Sequence, residues 1–429
     1  MHRPKSAAAV ALVTAAVVAA AAGCASTSRT TVPGRVSMPE VTRGVAAVEP
    51  TADPRPFGAS DTAFGLNVLR AWCTAEPADN LVFSPSTLAS ALGMAYLGAR
   101  GATARAIATV LRLPAKDAAV LTAGLQARTK GLGAAGGPGV TLVPASQVWA
   151  DPKLPPLASY LNAVATGYAA GLNQVPLLTD PTRAAQQINY AVSQQTRGHI
   201  PRLVTADMLA DVGWVLTSAL YMDARWAKPF DPAQTTTGTF TAASGTHVSA
   251  RFMNSGGLPF ATSGGWTAVS LPYRGGKLTM TALLPPAGSG ECVAPGTATL
   301  GTLTAQLART GAGAPGAAIS LPKVSLRSSA KMNGVLTSLG MGTAFSPGVA
   351  DFTGLSPAAG FIKFVQQAAT LQVGEKGTTG SAAVAIGIEP TSGTVISHLI
   401  VFDRPYLMLV TDKVTGEPLF LARVADPAV

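Results

Sequence analysis

The spacing of apolar residues predicts several elements in the first third of the chain. Segment 61–72, DTAFGLNVLRAW, carries apolar groups at helical spacing after Asp61, a residue type that caps helices. A short apolar strand follows at Leu81–Phe83, and Ser84 or Ser86 is then placed to cap a second helix. That helix is rich in small residues, so that a sheet could approach its backbone closely: Ala89, Ser90, Ala91, Gly93, Ala95 and Gly98.

A different pattern occupies 377–393, where the chain reads GTTGSAAVAIGIEPTSG. This stretch has no helical apolar stripe and is too polar to span a membrane, but it alternates like a strand and has no proline before Pro390. Taken alone, it fits an ordinary amphipathic strand. One alternating set is suited to burial: Thr378, Gly380, Ala382, Val384, Ile386 and Ile388. The other is suited to contact with water: Thr379, Ser381, Ala383, Ala385, Gly387 and Glu389.

Residues 1–23 have the layout of a secretory signal peptide. Arg3 and Lys5 form a short positive region, residues 6–23 are uncharged and rich in Ala and Val, and small polar residues follow. The ending AAGC resembles a bacterial lipobox, which predicts that Cys24 becomes a lipidated mature N-terminus; a plain secreted protein is the alternative. Both outcomes predict an extracellular location, and acylation would anchor the protein to the outer face of the cell membrane.

The remaining chain divides into a predicted tether, 24–58, and a predicted single domain, 59–429. The tether is rich in Ser, Thr, Pro and Arg and shows little apolar periodicity, as in flexible linkers. The domain is longer than most, but it contains no second low-complexity break and no internal repeat. After the signal, no stretch approaches the run of about 18 apolar residues that a membrane span needs.

Charge and cysteine content narrow the classes of function. The formal net charge is +10, and loss of Arg3 and Lys5 with the signal leaves 29 basic against 21 acidic residues, or +8. The basic residues are scattered rather than clustered with aromatic side chains, so no nucleic-acid partner is predicted. Besides Cys24 the chain contains Cys73 and Cys292, which in an oxidising compartment either pair or remain isolated buried thiols.

The sequence carries no recognisable catalytic or metal-binding motif. The mature histidines, His199, His247 and His398, are not at ligand spacing from one another or from a cysteine. The letters GLGAAG at 131–136 match a dinucleotide fingerprint, but they follow a predicted helix instead of the required strand and indicate a loop. We therefore expect neither an enzyme nor a bound cofactor.

Several motifs occur in an order that resembles the serpin superfamily. NLVFSP at 80–85 and LGARGAT at 97–103 are similar to the family's strand, buried helix and following turn. Further similar segments are INYAVSQQTRGHIPRLV at 188–204, LTSALYMDARWAKPFDPAQT at 216–235, the stretch 321–356 and the closing strands at 403–427. The resemblance covers roughly residues 59–427, so it extends over the whole predicted domain.

This resemblance implies a mixed α/β (α+β) serpin fold with three β-sheets, about nine helices and an exposed reactive-centre loop. Ser84, Ser86 and Asn189 match a cluster beneath the opening of the central sheet, and Trp226 matches the upper end of that opening. Gln367 stands where the family usually has His. Its amide can still donate and accept hydrogen bonds in the cluster, but pH-linked opening through this residue should be lost.

In inhibitory serpins a protease cleaves the exposed loop, and the part before the cut inserts into the central sheet while the acyl-enzyme is still attached. By resemblance, the loop hinge comprises Glu375, Gly377 and Thr378, and the scissile bond joins Thr391 to Ser392. The burial-suited set described above then becomes the inserting strand. It contains no proline, which would remove a ladder donor, and no inward charge, which would be costly to bury.

The resemblance also implies the partners. A serine protease is the expected target, and an elastase-like one is favoured because the small Thr391 after Pro390 suits a shallow primary pocket. Gly380 stands where the family usually has Ala, which could slow insertion and let some protease escape. The alternative is a non-inhibitory serpin that acts as a carrier or structural surface lipoprotein. A monomer, attached to the membrane through a lipid anchor, is expected.

Overall fold

The computed structural model describes residues 36–290, 292–309, 316–379 and 396–428, and these contain nine α-helices. The helices α1 to α9 span Arg55–Ala75, Pro85–Gly98, Gly101–Leu111, Ala118–Ala134, Ala158–Tyr168, Pro181–Gln195, Ala206–Leu209, Thr297–Arg309 and Asn333–Leu336. Short 3-10 helices lie at Pro232–Gln234 and Gly342–Phe345, and a π-helical turn lies at Thr337–Met341.

Eighteen β-strands accompany these helices in the described ranges. Strands β1 to β9 span Glu40–Thr42, Leu81–Phe83, Val140–Pro144, Gln147–Ala150, Leu172–Gln174, Trp214–Arg225, Thr236–Thr241, His247–Leu258 and Phe260–Ser263. Strands β10 to β18 span Trp266–Pro272, Leu278–Leu284, Gly316–Pro322, Val324–Lys331, Val365–Gly374, Gly377–Thr379, Ile396–Val401, Tyr406–Asp412 and Pro418–Val424.

The strands form three sheets. Sheet A has eight strands in the order β1-β5-β4-β6-β15-β14-β13, with β3 also paired to β6. Sheet B has six strands, β2-β18-β17-β11-β10-β9, and sheet C has four, β16-β12-β8-β7. Three sheets and nine helices are the architecture that the sequence resemblance implied, and this prediction is confirmed.

Helix α2 lies directly against sheet A, as its small residues suggested. Ser84 caps it by accepting a hydrogen bond from the backbone N–H of Thr87 at 3.2 Å, and Pro85 occupies the first turn. The Oγ of Ser218 on β6 donates to Oγ1 of Thr87 at 2.9 Å. The start of the helix is therefore fastened to the strand above it.

Helix α1 begins earlier than the sequence pattern predicted. It starts at Arg55, with Pro56 in its first turn, where the fixed φ of proline suits a helix. Asp61 is therefore inside the helix, 5% exposed, and the prediction that it caps the helix is wrong. Its carboxylate instead pairs with Arg128 on α4.

The predicted tether is also wrong for its second half. Strand β1 (Glu40–Thr42) pairs with β5 at the edge of sheet A. The backbone N–H of Val45 then donates to Asn162 Oδ1 at 2.8 Å, and that of Ala47 donates to Thr166 Oγ1 at 2.9 Å, so the segment runs along α5. Sparse apolar residues misled the sequence interpretation, because backbone hydrogen bonds rather than a buried apolar face hold this segment.

The two cysteines for which the sequence left pairing open form a disulfide, Cys73–Cys292. This bridge joins the end of α1 to the segment that leads into α8, two parts of the chain separated by 219 positions. Closing so long a loop restricts the unfolded chain.

None of the helices in the described ranges combines the length and the apolar character needed to cross a bilayer. The predicted signal peptide and Cys24 lie outside the described residues, and their predictions stand as made.

Candidate functional site: the loop hinge and the opening of the central sheet

The hinge that precedes the predicted loop is already part of sheet A. Strand β15 (Gly377–Thr379) lies between β14 and β6 and pairs antiparallel with both. Thr378 is opposite Val373 on one side and Ala224 on the other. Residues Gly377–Thr379 therefore already form a strand between β14 and β6 in the intact chain.

Gly377 is required by the close approach of β6. A Cβ added at this position would lie 2.1 Å from the carbonyl oxygen of Ala224 and 2.8 Å from Cα of Arg225. Both atoms belong to the backbone, so neither can move aside cheaply. The predicted hinge residue at 377 is therefore a glycine because β6 leaves no room there for a side chain.

Thr378 is held in the sheet by a buried hydroxyl pair. Its side chain is 1% exposed, and its Oγ1 lies 2.6 Å from the hydroxyl of Tyr273. Burial raises the pKa of Tyr273, so the phenol remains protonated over the physiological range. One of the two hydroxyls donates to the other, and a polar side chain is accommodated inside an apolar core.

Trp226 forms the upper wall of the opening. Its ring stacks on Tyr273 with centroids 4.5 Å apart, and its Nε1 donates to the carbonyl oxygen of Gly374 at 2.9 Å. Its backbone N–H donates to the carbonyl oxygen of Lys376 at 3.0 Å. The ring and backbone of Trp226 together fix the turn from which β15 begins.

Glu375 anchors the same turn through its charge. Its Oε2 lies 2.9 Å from Nζ of Lys323, and its Oε1 accepts a hydrogen bond from Thr235 at 3.1 Å. Burial alone would raise the pKa of Glu375, but the hydrogen bond from Lys323, supported by Thr235, outweighs burial and lowers it. The carboxylate is therefore ionised at neutral pH, and it fixes the hinge to Lys323, which joins β12 to β13, and to the segment after β6.

Below the hinge the sheet is closed. Strands β6 and β14 pair directly and in parallel, from Leu216 opposite Val365 to Leu220 opposite Ala369. A strand that continued from β15 would have to separate this pairing. The opening of the central sheet is the boundary between these two regions.

Ser84 and Ser86 lie together beneath this boundary, both fully buried, with their hydroxyl oxygens 3.2 Å apart. Asn189 is elsewhere: its Nδ2 donates to the carbonyl oxygen of Val204 at 2.8 Å, and its Oδ1 accepts from the N–H of Leu203 at 2.7 Å. It therefore stabilises the chain after α6 and does not join the serines. The prediction of one cluster is corrected on this point.

Gln367 lies in the closed part of the sheet, opposite Ser218 on β6. Strand alternation puts it on the same face as Val365 and Ala369, which is the face toward α2. It is 0% exposed, and neither its Oε1 nor its Nε2 has a hydrogen-bond partner among the described residues. The expected amide hydrogen bonds to the serine cluster are not formed there.

The other predicted loop residues lie outside the described residues and are neither supported nor corrected by the structure: Gly380, Ala382, Val384, Ile386, Ile388, Thr391 and Ser392. Sequence reasoning missed Tyr273 and Lys323. Tyr273 follows a strand in a short polar segment, and Lys323 is one of many scattered cations. No local pattern distinguishes either residue, because their roles depend on strands far away in the sequence.

Comparison with known proteins identifies the architecture. The family model for "Serpin (serine protease inhibitor)" matches residues 59–427. The chain belongs to the serpin family. An uncharacterized serpin-like protein of Thermococcus kodakarensis is 31% identical over 352 residues, which cover 81% of each chain. Mouse leukocyte elastase inhibitor A is 27% identical, over 86% of this chain and 99% of its own.

A solved structure agrees with this assignment at the level of the fold. The thermophilic serpin tengpin in its native state superimposes with a TM-score of 0.74 over 91% of this chain and all of its own, at 22% sequence identity. Serpins generally act on serine proteases as suicide inhibitors, although some members do not inhibit. The family assignment therefore makes protease inhibition the first function to test.

Proposed function

We propose that this serpin is a suicide inhibitor of serine proteases, cleaved between Thr391 and Ser392. After acylation of the protease, the loop before the cut inserts between β6 and β14 and carries the attached enzyme with it. The observation that carries the proposal is the position of β15, already paired with both strands that must part. Insertion is then an extension of an existing strand.

The register supports this extension without any shift. Six residues beyond Thr378 the loop reaches Val384, and six residues back from Ala224 and Val373 lie Ser218 and Gln367. Ser218 and Gln367 are themselves paired in the closed sheet. Each inserting residue would therefore enter between two residues that already face each other, and the backbone hydrogen bonds of both strands would be taken up by the new one.

The same register gives Ala382 and Ile386, two members of the burial-suited set, an apolar environment. Ala382 would lie between Leu220 and Ala369, and Ile386 between Leu216 and Val365; all four neighbours are buried. Full burial of a valine or isoleucine side chain is worth roughly 1.5–3 kcal/mol. The growing apolar set therefore favours the inserted state.

The other alternating set of the loop, which the sequence pattern predicted to contact water, would be partly buried after insertion. Ala383 would lie between Ala219 and Ala368, which pack in one hydrophobic cluster with Ile188 of α6. We therefore expect the small residues of this set to lie beneath α6. Small side chains are suited to this place because a larger one would have to displace the helix.

An elastase-like protease is the favoured target. Thr391 is small and follows Pro390, which suits a shallow primary pocket. The similarity to mouse leukocyte elastase inhibitor A, whose name states its target, supports the same class of protease. A covalent complex with such an enzyme is the partner state that this proposal predicts.

A denaturing gel after incubation with an elastase-type protease tests the proposal. We expect a band at the summed mass of the serpin and the protease, and sequencing of the released C-terminal peptide should begin at Ser392. Val384→Glu should abolish the band and leave cut serpin with active protease, because a buried unpaired charge costs several kcal/mol. The control Thr379→Glu, opposite the exposed Gln372, should retain it.

If elastase-, chymotrypsin- and subtilisin-type enzymes all yield only cut serpin and active protease, the inhibitor proposal is wrong. The non-inhibitory alternative of a carrier or structural surface protein would then replace it.

The proposal includes a location. We propose that the signal peptide is removed before Cys24 and that this cysteine is acylated, which anchors the serpin to the outer face of the cell membrane. Membrane fractionation and mass spectrometry of the N-terminal peptide test this, with Cys24→Ala as the control. Wild-type protein in the soluble fraction without added lipid mass would favour the secreted alternative.

A further inference from the structure

The segment that leads into α1 exposes a short apolar run. Residues 37–54, which we call the strap, contain the sequence GVAAV at 44–48. Every side chain of this run faces water, and Val45 is 80% and Val48 93% exposed. The strap is nevertheless fastened to α5 through its backbone, since the N–H of Val45 donates to Asn162 Oδ1 at 2.8 Å. The backbone therefore holds the run in place while its apolar side chains are left without contacts.

The surface beside this run is also uncharged. Residues 154–179, which include α5 and β5, contain no Asp, Glu, Lys, Arg or His. Ala158 and Asn162 are exposed on α5. The run at 44–48 and the exposed side of α5 together form what we call the uncharged edge. Exposed apolar surfaces with a polar rim mark contacts with proteins or membranes.

The rim of the uncharged edge carries charges of both signs. Arg43 comes directly before the run, and Lys130 of α4 donates to Gln126, whose Nε2 bonds to the strap at 2.8 Å. Glu40 and Glu49 lie outside the run, one on each side of it. The rim is therefore polar, and its charges do not by themselves select a partner.

The chain before the strap does favour one partner. Residues 25–39 contain Arg29 and Arg35 and no acidic residue, so this stretch is attracted to an anionic bilayer. Even fully extended, residues 25–36 reach about 40 Å at most, so that an anchor at Cys24 keeps the strap close to the membrane. The net charge of +8 after the signal opposes contact with a second copy and favours anionic lipid.

We propose that the uncharged edge docks on an anionic lipid surface, with Val45 and Val48 among the head groups. This inference rests on the proposed location and not on protease inhibition. Apolar side chains in the interface and cations near it both add to the binding that a lipid anchor supplies. In sheet A the order β1-β5-β4-β6-β15 separates the strap from the hinge by four strand spacings, or ~19 Å. Docking at this edge therefore leaves the opening between β6 and β14 uncovered.

Sedimentation with vesicles tests the proposal on the chain from residue 25 onward, which lacks the acylated cysteine but contains the compact unit Ser37–Val429. The chain should bind to vesicles of phosphatidylglycerol and phosphatidylcholine, and clearly less to phosphatidylcholine alone. Val48→Asp should weaken binding by about 10-fold or more, because it puts a charge into the interface. The matched control Leu399→Asp, at a 71% exposed position on β16 of sheet C, should bind like the unsubstituted chain.

A fluorescent label adds a direct measurement of contact. Cys73 and Cys292 are paired, so an environment-sensitive dye can be attached to Val48→Cys or to Leu399→Cys alone. Anionic vesicles should shift the emission of the first to the blue and leave the second unchanged.

Three results would overturn the assignment: no binding to anionic vesicles, equal loss of binding in Val48→Asp and Leu399→Asp, or equal shifts of the two labels. A shift at Val48→Cys that grows with protein concentration without vesicles would assign the edge to a second copy instead. Because the tested chain lacks Cys24, none of these results depends on acylation, which membrane fractionation tests separately.

Discussion

At the scale of the residue, Gly377 is the position on which the hinge depends most. Its missing side chain lets β15 lie against Ala224, where a Cβ would come within 2.1 Å of a carbonyl oxygen. Gly374, at the other end of the same turn, has nothing within 4 Å of the place that a Cβ would take. A side chain is therefore excluded at Gly377 but has room at Gly374, so that substitution of Gly374 is a matched control for substitution of Gly377.

We predict that Gly377→Ala expels the hinge from sheet A, whereas Gly374→Ala does not. Overpacking of this kind typically costs about 1–3 kcal/mol, and leaving the sheet avoids it. Loss of the contacts around Tyr273 should shift the fluorescence of Trp226 and expose the hinge to limited proteolysis. Identical spectra and cleavage patterns for the two variants would contradict the described position of β15.

Gln367 is a second residue whose position has an energetic cost. Its amide is fully buried without a hydrogen-bond partner in the described part of the chain, which destabilises the closed sheet. Gln366, next to it but facing the other way, donates from Nε2 to Ser329 Oγ at 3.1 Å. The closed form thus carries an unfavourable group at the place where it has to open.

We predict that Gln367→Leu stabilises the intact protein by about 1–3 kcal/mol, because a shape-matched apolar group removes the desolvation cost. Gln366→Leu should instead destabilise it by about 0.5–1.5 kcal/mol through the lost hydrogen bond. Guanidinium unfolding of the intact protein measures both changes. Equal shifts, or destabilisation by Gln367→Leu, would show that the Gln367 amide is satisfied in solution.

The sequence named Gly377 as part of the hinge and Trp226 as part of the opening, but it did not give their contacts. Gly377 lies in β15 between β6 and β14, and Trp226 donates to the carbonyl oxygen of Gly374. Their roles in insertion stay predictions. Asn189 was grouped with the serines, but its hydrogen bonds are to its own neighbourhood at 203–204. A motif specifies which residue stands at a position, whereas its partners depend on strands that meet only in the folded chain.

At the scale of the element, one buried ion cluster connects α1, α4 and the β17–β18 turn. Arg128 of α4 pairs with Asp61 of α1. The Nε of Arg128 also lies 2.9 Å from Oε1 of Glu417. Its Nη2 also donates to the carbonyl oxygen of Ser86 at 2.7 Å, which ties the cluster to α2. One cation thus faces two carboxylates, all nearly excluded from water.

This arrangement favours a proton on the carboxylate pair. Burial raises the pKa of Glu417, and the neighbouring Asp61 raises it further, while Arg128 opposes both. Burial likewise raises the pKa of Asp61. Burial lowers the pKa of Arg128, but the two carboxylates outweigh it and raise the value overall, so the guanidinium stays charged. Tyr168 of α5 lies in the same electrostatic environment and is neutral, because burial raises its pKa.

Stability should therefore fall as the pH rises. Because the folded pKa of Glu417 lies above its unfolded value, the stabilisation is complete below the ordinary pKa near 4.5 and is lost as pH rises through the folded value. Glu417→Gln should remove this dependence: unfolding temperatures should match wild type near pH 5 and exceed it at pH 8. The control Glu40→Gln, at an exposed position, should have the same unfolding temperature as wild type at each pH. If the unfolding temperature of Glu417→Gln changes with pH as steeply as that of wild type, the carboxylate pair does not hold the proton.

The boundaries of elements were predicted less well than their existence. Periodicity located the helix after Ser84, because a serine cap and an apolar strand define its start. It missed the first turn of α1 and the packing of 40–54, where proline geometry and backbone hydrogen bonds dominate. Such interactions leave no apolar period along the chain.

At the scale of the whole molecule, the central feature is the match between the loop and the sheet that would receive it. The alternating pattern of 378–388 was visible in the sequence, but the strands that set its register were not. The paired positions of β6 and β14 now give each loop residue an expected place. The inserted state would separate the β6–β14 pairs and add a strand between them, with the two residues of each pair still at the same level.

The measurement that tests this account most directly is thermal unfolding of the intact protein and of the same protein cut in its loop between Ile388 and Ile396. Insertion buries the apolar set of the loop and completes the sheet, so the cut protein should unfold at a clearly higher temperature. Val384→Glu should cancel most of that gain. A cut protein that unfolds at the same or a lower temperature than the intact one would show that the loop does not insert.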